Sequence, residues 1–259
     1  MPLRSLTALP VYNEVGHVRD VLAEVRRYSS DILAVDDGST DGTSDVLQTI
    51  PGINVLRHEK NRGYGAALIS AFRYALEHKY DVLVTIDCDG QHEPKRIPQF
   101  VQAALDADIV SGSRYLKKFE GDSEPPADRR RINQLITAEI NERLGLNLTD
   151  AFCGFKAYRV PALKYLEVSE PGYAMPLEVW VRAAAAGLRI VELPVPLIYL
   201  EEERSFGGAL DNAETRLRYY RDLLERSLAT VKQSLGYDPF AQRDDVPRAS
   251  CCGTGAAGG

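Results

Sequence analysis

The segment TIDCDGQHEP, residues 85–94, sets two carboxylates, Asp87 and Asp89, at i and i+2, with the amide of Gln91 two residues further on. Three oxygen donors at that spacing, directly after an apolar run, suit one hard divalent cation, Mg²⁺ or Mn²⁺. Mg²⁺ takes few protein ligands and completes its shell with water and phosphate oxygens, so the chemistry suggested is that of a phosphorylated substrate. A D-x-D pair taken alone also fits an Asx-rich turn. His92, beside Gln91, is expected to support such a site rather than to ligate.

Other clusters carry charge at similar places. VDDGSTDGT, residues 35–43, ends an apolar run on Asp36 and Asp37. Adjacent carboxylates there are costly unless donors or cations meet them. SGSRY, residues 111–115, ends another run on Arg114, and Arg129, Arg130 and Arg131 follow a polar stretch. Cations at a helix start oppose its dipole and so call for an anion, although such a run also fits a solvated face.

The elements that must hold these residues are legible as alternation. LTALPVY, DILAVDD, INVLRH, DVLVTIDCD and DIVSGSR read as strands. Between them lie helical patterns: Val15, Val18, Leu22 and Val25 on one face, a short helix from about Thr43, one through Leu68, Phe72 and Leu76, and one over 97–105. Runs such as VLVTI are apolar on both faces, as in a helix-covered parallel sheet. In such a β/α alternation, ligand chemistry belongs beyond the carboxyl ends of the strands, where these clusters fall. The stretch YLKKFEGDSEPPADRRR, residues 115–131, reads as a mobile loop. A helix through Ile132, Leu135, Ile136, Ile140 and Leu144 follows, then DAFCGFKAYR, a helix over 177–186, the strand-like LRIVELPV, and a helix over 212–235 striped by Leu217, Tyr220, Leu224, Leu228, Val231 and Leu235. The tail from 237 onward is expected to be disordered.

Composition narrows the function classes. The chain has 259 residues and a formal net charge of -6, which gives no global attraction to nucleic acid or an anionic membrane. The most apolar stretch, 183–200, is interrupted by Arg189, Glu192 and two prolines, and predicts no transmembrane span. Four cysteines without metal or disulfide spacing fit a reducing, cytoplasmic setting.

Taken together and in order, LPVYNE, VDDGSTDGT, NRGYGAALISAF and TIDCDGQHEP closely resemble the family-2 glycosyltransferases of the GT-A fold, within them the dolichol-phosphate mannosyltransferase-like group. The resemblance runs from Leu9 to about Gly208. It implies an α/β, Rossmann-like, mostly parallel sheet flanked by helices in one compact unit over 1–236. Residues 1–115 would be the nucleotide-sugar and metal half, and 116–236 the acceptor half with the C-terminal helix.

The resemblance also assigns residues. Pro10, Tyr12 and Glu14 would line the nucleotide pocket. Asp37 would accept from base or ribose and be satisfied when ligand arrives, with Asp36 beside it bracing the turn and Asp41 or Thr40 capping the next helix. Gly63 and Gly65 would let backbone approach the nucleotide sugar. Asp87, Asp89 and Gln91 would hold the metal. Arg114, Arg130 and Arg204 would meet donor or acceptor phosphates, and Cys153 would stand in the acceptor pocket. Glu178 would be a general base or a buried anchor. The implied reaction is inverting transfer of a hexose from a nucleoside diphosphate sugar, of GDP-mannose or UDP-glucose type, to a polyprenyl phosphate, with peripheral membrane contact and homo-oligomerisation both open.

Rivals remain at this stage. A hydroxyl acceptor would need a carboxylate base, for which Glu178 leads, and Glu201 to Glu203 would repel a lipid phosphate. GYGAA resembles a dinucleotide fingerprint, but Leu68 stands where the third small residue belongs and the motif follows the third strand. A nucleotidyltransferase would need a basic, glycine-rich first loop, where LPVYNEVGHV offers acid. A non-catalytic nucleotide-sugar-binding module would not require both Asp87 and Asp89.

Overall fold

The computed structural model describes residues 3–200 and 208–241. Seven strands form one sheet in the order β3-β2-β1-β4-β6-β5-β7. They are β1 (Ser5–Val11), β2 (Asp31–Asp36), β3 (Asn54–Arg57), β4 (Val82–Thr85), β5 (Ile109–Ser113), β6 (Lys156–Arg159) and β7 (Ile190–Pro194). The helices are α1 (Val18–Val25), α2 (Thr43–Thr49), α3 (Tyr64–Glu77), α4 (Ile97–Ala103), α5 (Ala127–Leu144), α6 (Met175–Ala185) and α7 (Ala213–Leu235).

The apolar runs become strands buried on both faces. Leu6, Ala8 and Leu9 of β1, and Leu33, Ala34 and Val35 of β2, have no exposed surface. On one face α3, α5, α6 and α7 cover Leu6, Leu33 and Leu83, with Trp180 of α6 at the centre. On the other, α1, α2 and α4 cover Leu9, Ile32 and Val84. β1 pairs in parallel with β2 and β4, so Val11 lies opposite Asp36 and Ala8 opposite Thr85, and all three strands end on one edge.

The mostly parallel sheet matches the expectation, with one addition. β6 runs antiparallel between β4 and β5, and Lys156 lies beside both Thr85 and Ser111. Its amino-terminal end therefore reaches the edge where its parallel neighbours have their carboxyl ends. Two boundaries also differ from the sequence reading. α1 begins at Val18, and Val15 is exposed because the turn over 12–17 precedes the helix. The stretch 115–131 is not one loop: α5 starts at Ala127 and takes in the three arginines. The remainder is tied down, since the Asp122 carboxylate accepts from Phe119 N at 2.7 Å and Leu197 N at 2.8 Å, and Ser123 N donates to Leu197 O at 2.7 Å. The tail beyond 241 lies outside the described residues.

α7 meets its expected stripe. Tyr220, Leu224, Leu228 and Val231 are buried against α5 and α6, whereas Leu235, the last residue of the helix, is exposed. Asn212 caps the helix by accepting from Thr215 N at 2.9 Å. Leu224→Ala should therefore destabilise the protein by about 2–5 kcal/mol, the range for a leucine deleted from a packed core. Urea denaturation at constant slope measures it.

Candidate active site

A cavity of about 900 Å³ opens along the edge where the strands end. Pro10, Tyr12 and Glu14 line it just beyond β1, Asp37 beyond β2, and Asp87, Asp89 and Gln91 beyond β4. Arg114, beyond β5, faces the same space, as do Arg129 of α5 and Arg216 and Tyr220 of α7.

The acids at this edge are held by different means. Asp36 has no exposed surface and braces the turn: it accepts from Ser39 N at 2.9 Å and from the Ser44 hydroxyl, and Arg57 Nε stands 3.4 Å away. Asp37 accepts from the backbone N–H groups of Arg62 and Gly63 at 2.9 and 2.8 Å. Its Oδ1 also lies 2.6 Å from His58 Nδ1, whose Nε2 meets Ser70 Oγ at 2.9 Å. Asn13 links β1 to the turn after β2. It takes a left-handed φ of 54°, which asparagine tolerates; its side-chain oxygen accepts from Thr40 N at 2.9 Å while its backbone N–H donates to Ser39 Oγ at 3.0 Å.

Asp87 is embraced on both oxygens. The Tyr64 hydroxyl donates to Oδ1 at 2.9 Å and His92 Nε2 lies 3.2 Å from Oδ2. Burial alone would raise this carboxyl's pKa, but the His92 hydrogen bond and charge, with the Tyr64 hydroxyl, bring it below the ordinary value. Burial and the neighbouring carboxylate drive the Tyr64 phenol well above its usual range, so it stays a donor. Asp89 Oδ1 accepts from Gln91 N at 3.0 Å, which curls the chain so that both carboxylates and the Gln91 side chain line one wall. Among the described residues no three His, Cys, Asp or Glu side chains gather into a closed metal cage. Two carboxylates and an amide fit a hard cation that draws the rest of its shell from a diphosphate and water.

Arg114 is the cavity's fixed cation. Its Nε and Nη2 donate to the two oxygens of Asp150 at 2.7 and 2.9 Å. Asp150 has no exposed surface and also accepts from Asn133 Nδ2 at 2.7 Å and Phe152 N at 3.1 Å. Burial opposes both charges, yet the pairing wins: Asp150 is pulled far below the carboxylate range and Arg114 is held protonated.

Residues 7–166 match the family described as Glycosyl transferase family 2. The chain belongs to this family. An undecaprenyl-phosphate mannosyltransferase of Micrococcus luteus is 36% identical to this glycosyltransferase over 227 residues, which cover 82% of the present chain and 91% of that protein. A polyprenol monophosphomannose synthase of Mycolicibacterium smegmatis is 31% identical, over 74% of this chain and 76% of that one. Among solved structures, the glucosyl-3-phosphoglycerate synthase of Mycobacterium tuberculosis, crystallised with Mn²⁺, UDP and phosphoglyceric acid, superposes with a TM-score of 0.64 at 17% identity, over 96% of this chain and 81% of that one. At that identity the likeness is one of fold, the GT-A fold.

The cavity of this family-2 enzyme gathers most, not all, of the residues singled out from sequence. Asp36 and Gly65 do not line it, and Gly63 lines it for another reason than expected. A Cβ at Gly63 would stand 2.3 Å from Pro171 O, and one at Gly65 2.3 Å from Glu170 O, so these glycines admit the segment before α6. Asp37 lines the cavity but, contrary to expectation, is already satisfied within the chain. Cys153 is core rather than acceptor pocket; burial lifts its thiol to about 11. Glu178 is the anchor of the two alternatives: buried, it accepts from Ser169 N and Glu170 N, both at 2.8 Å, and does not line the cavity. Arg129, not Arg130, lines the wall, with its guanidinium 5.5 Å from the Tyr199 ring centre. Arg204 and Glu201 to Glu203 lie outside the described residues. Asp150, Asn133, Tyr64 and Arg216 were missed; for Asp150 the available signal was an acid opening an otherwise apolar segment.

Asp150→Asn leaves the half-buried Arg114 without its counter-charge, and should cost about 1.5–3 kcal/mol at neutral pH, less than for a fully buried pair because water screens part of the guanidinium. The Asp150 pKa is depressed on folding, so its contribution is full above the unfolded value and lost as pH falls through the folded one. The gap between parent and variant should therefore persist down to about pH 4 and narrow below it. Denaturation curves between neutral and strongly acidic pH check the sign.

Proposed function

We propose that this glycosyltransferase moves a hexose, with inversion, from a nucleoside diphosphate sugar to a polyprenyl phosphate, using a divalent cation at Asp87, Asp89 and Gln91. The observation that carries the reading is the make-up of one cavity: carboxylates beyond β2 and β4, and guanidiniums of Arg114, Arg129 and Arg216 beyond β5 and on α5 and α7. A donor needs the carboxylates beyond β4 for its cation and the guanidiniums for its diphosphate; an anionic acceptor needs the guanidiniums alone. The names of the Micrococcus and Mycolicibacterium relatives support a polyprenyl phosphate acceptor.

Pro10, Tyr12, Glu14 and Asp37 form the wall proposed for the nucleoside. When bound, the cation would offset charge developing on the leaving diphosphate. Arg114 adds a preorganised positive charge whose direction Asp150 fixes, which is where electrostatic catalysis gains most. A phosphate acceptor arrives ionised and needs no strong general base. That fits the position of Glu178, the carboxylate a hydroxyl acceptor would have relied on, which serves α6 instead. Phe152, Leu197, Ile198 and Tyr220 offer apolar surface in the same cavity for the first isoprene units. No described helix is long and apolar enough to cross a membrane, so on this reading the lipid is met at the bilayer surface.

The test is transfer from GDP- and UDP-sugars to a short-chain polyprenyl phosphate, beside phosphoglycerate and simple glycosides, with released nucleoside diphosphate as a second readout. Product on the polyprenyl phosphate is expected, and product only on the hydroxyl acceptors would overturn the assignment. Asp89→Asn should lower turnover by about 10²–10³, the loss typical of a group that stabilises transition-state charge. Undiminished activity of that variant, or in EDTA, would remove the metal from the reading. Arg129→Ala should raise the acceptor KM more than Arg130→Ala does.

A further inference from the structure

Gly154 is not explained by backbone conformation, since it is absent from the glycines with positive φ. It is explained by space. A Cβ built on it would stand 2.1 Å from Asp87 Oδ2 and 2.6 Å from both Oδ1 and Cγ. The whole carboxylate of Asp87 therefore rests against this α-carbon, and any side chain would push it away. The antiparallel direction of β6 makes the contact possible by bringing the residues before Lys156 to the end of β4, where the Thr85 hydroxyl donates to Gly154 O at 3.0 Å.

Two side chains complete the cradle. The Tyr64 hydroxyl reaches Oδ1 at 2.9 Å and His92 Nε2 approaches Oδ2 at 3.2 Å. Neither ring is loose. Tyr64 stacks on Tyr173 with ring centres 5.7 Å apart and planes 16° apart, and His92 lies 5.7 Å from the Phe155 ring, one residue from Gly154. Asp87 is thus held from three directions, by Tyr64 and Gly154 from elements remote in sequence and by His92 from its own loop, before any ligand arrives.

We propose that Gly154 and Tyr64 are positioning residues that fix the Asp87 carboxylate for a divalent cation, and that cation affinity depends on both. This rests on the metal reading above. Outer partners that orient a metal ligand commonly contribute 10–100-fold in affinity, because a ligand free to rotate must be ordered on binding. Tyr64→Phe removes the hydroxyl and keeps the stacked ring; Gly154→Ala adds the one atom that the carboxylate's place excludes.

The experiment is Mn²⁺ binding to the full chain, followed by the loss of the free-ion electron paramagnetic resonance signal, with GDP and with UDP present. Each variant should bind Mn²⁺ about 10–100-fold more weakly than the parent. Nucleotide binding without metal should be unchanged, which separates a positioning role from a general structural one. In an Asp87→Asn background Tyr64→Phe should add no further loss. Mn²⁺ affinity equal to the parent's in Tyr64→Phe overturns the proposal, and that variant decides the matter if Gly154→Ala fails to fold. A parent that binds no Mn²⁺ would instead sink the metal reading, and this inference with it.

Discussion

The ion pair between half-buried Arg114 and fully buried Asp150 is the constraint on which the rest of the cavity depends. A carboxylate with no exposed surface must be met by donors or it will not remain charged. Asp150 is met by Arg114 from the end of β5, by Asn133 from α5 and by the backbone of Phe152. Behind it, Glu192 of β7 accepts from Thr149 N at 2.8 Å and Asp150 N at 3.1 Å, although burial raises the pKa of that carboxyl. Such a pair adds little net stability over apolar packing; its effect is to fix positions. What it fixes is the course of residues 150–156, and so where Gly154 meets Asp87.

The two acids that end β2 show how one sequence signal divides into two physical roles. Asp36 points inward and its charge is absorbed by the turn and α2, while Asp37 collects backbone donors from the 62–63 turn. The edge is rich in acid, yet each of these charges is answered by the chain itself. Beyond β4 the answer comes from side chains instead, Tyr64 and His92 meeting Asp87.

Much of this was legible in the residues because the signals were local. Apolar runs announced β1, β2, β4 and β5, and the rule that ligands gather beyond strand ends placed Tyr12, Asp37, Asp87 and Arg114 together. The failures were all matters of partner. Gly63 and Gly65 announced a close approach without saying of what, and the answer was Glu170 and Pro171. Glu178 has the look of a functional acid until Ser169 and Glu170 are seen donating to it. Arg129 and Arg130 are separated only by helical phase, and that phase is set by where α5 begins. The direction of β6 was hidden because KAYR is short and its burial on both sides comes from neighbours far along the chain.

The docking of α7 decides whether the cavity is closed. Arg216, nearly wholly buried, donates to Asp128 at 2.6 Å and to Leu210 O at 2.8 Å, and with Tyr220 it forms part of the cavity wall. The sheet, with the carboxylates at its edge, is built from residues up to Pro194, but the wall is closed by α7. Without α7 the cavity would lose the wall formed by Arg216 and Tyr220 and become an open edge. Docking of α7 and closure of the cavity are therefore one and the same event, so any loosening of that helix is felt as a change in the shape of the cavity.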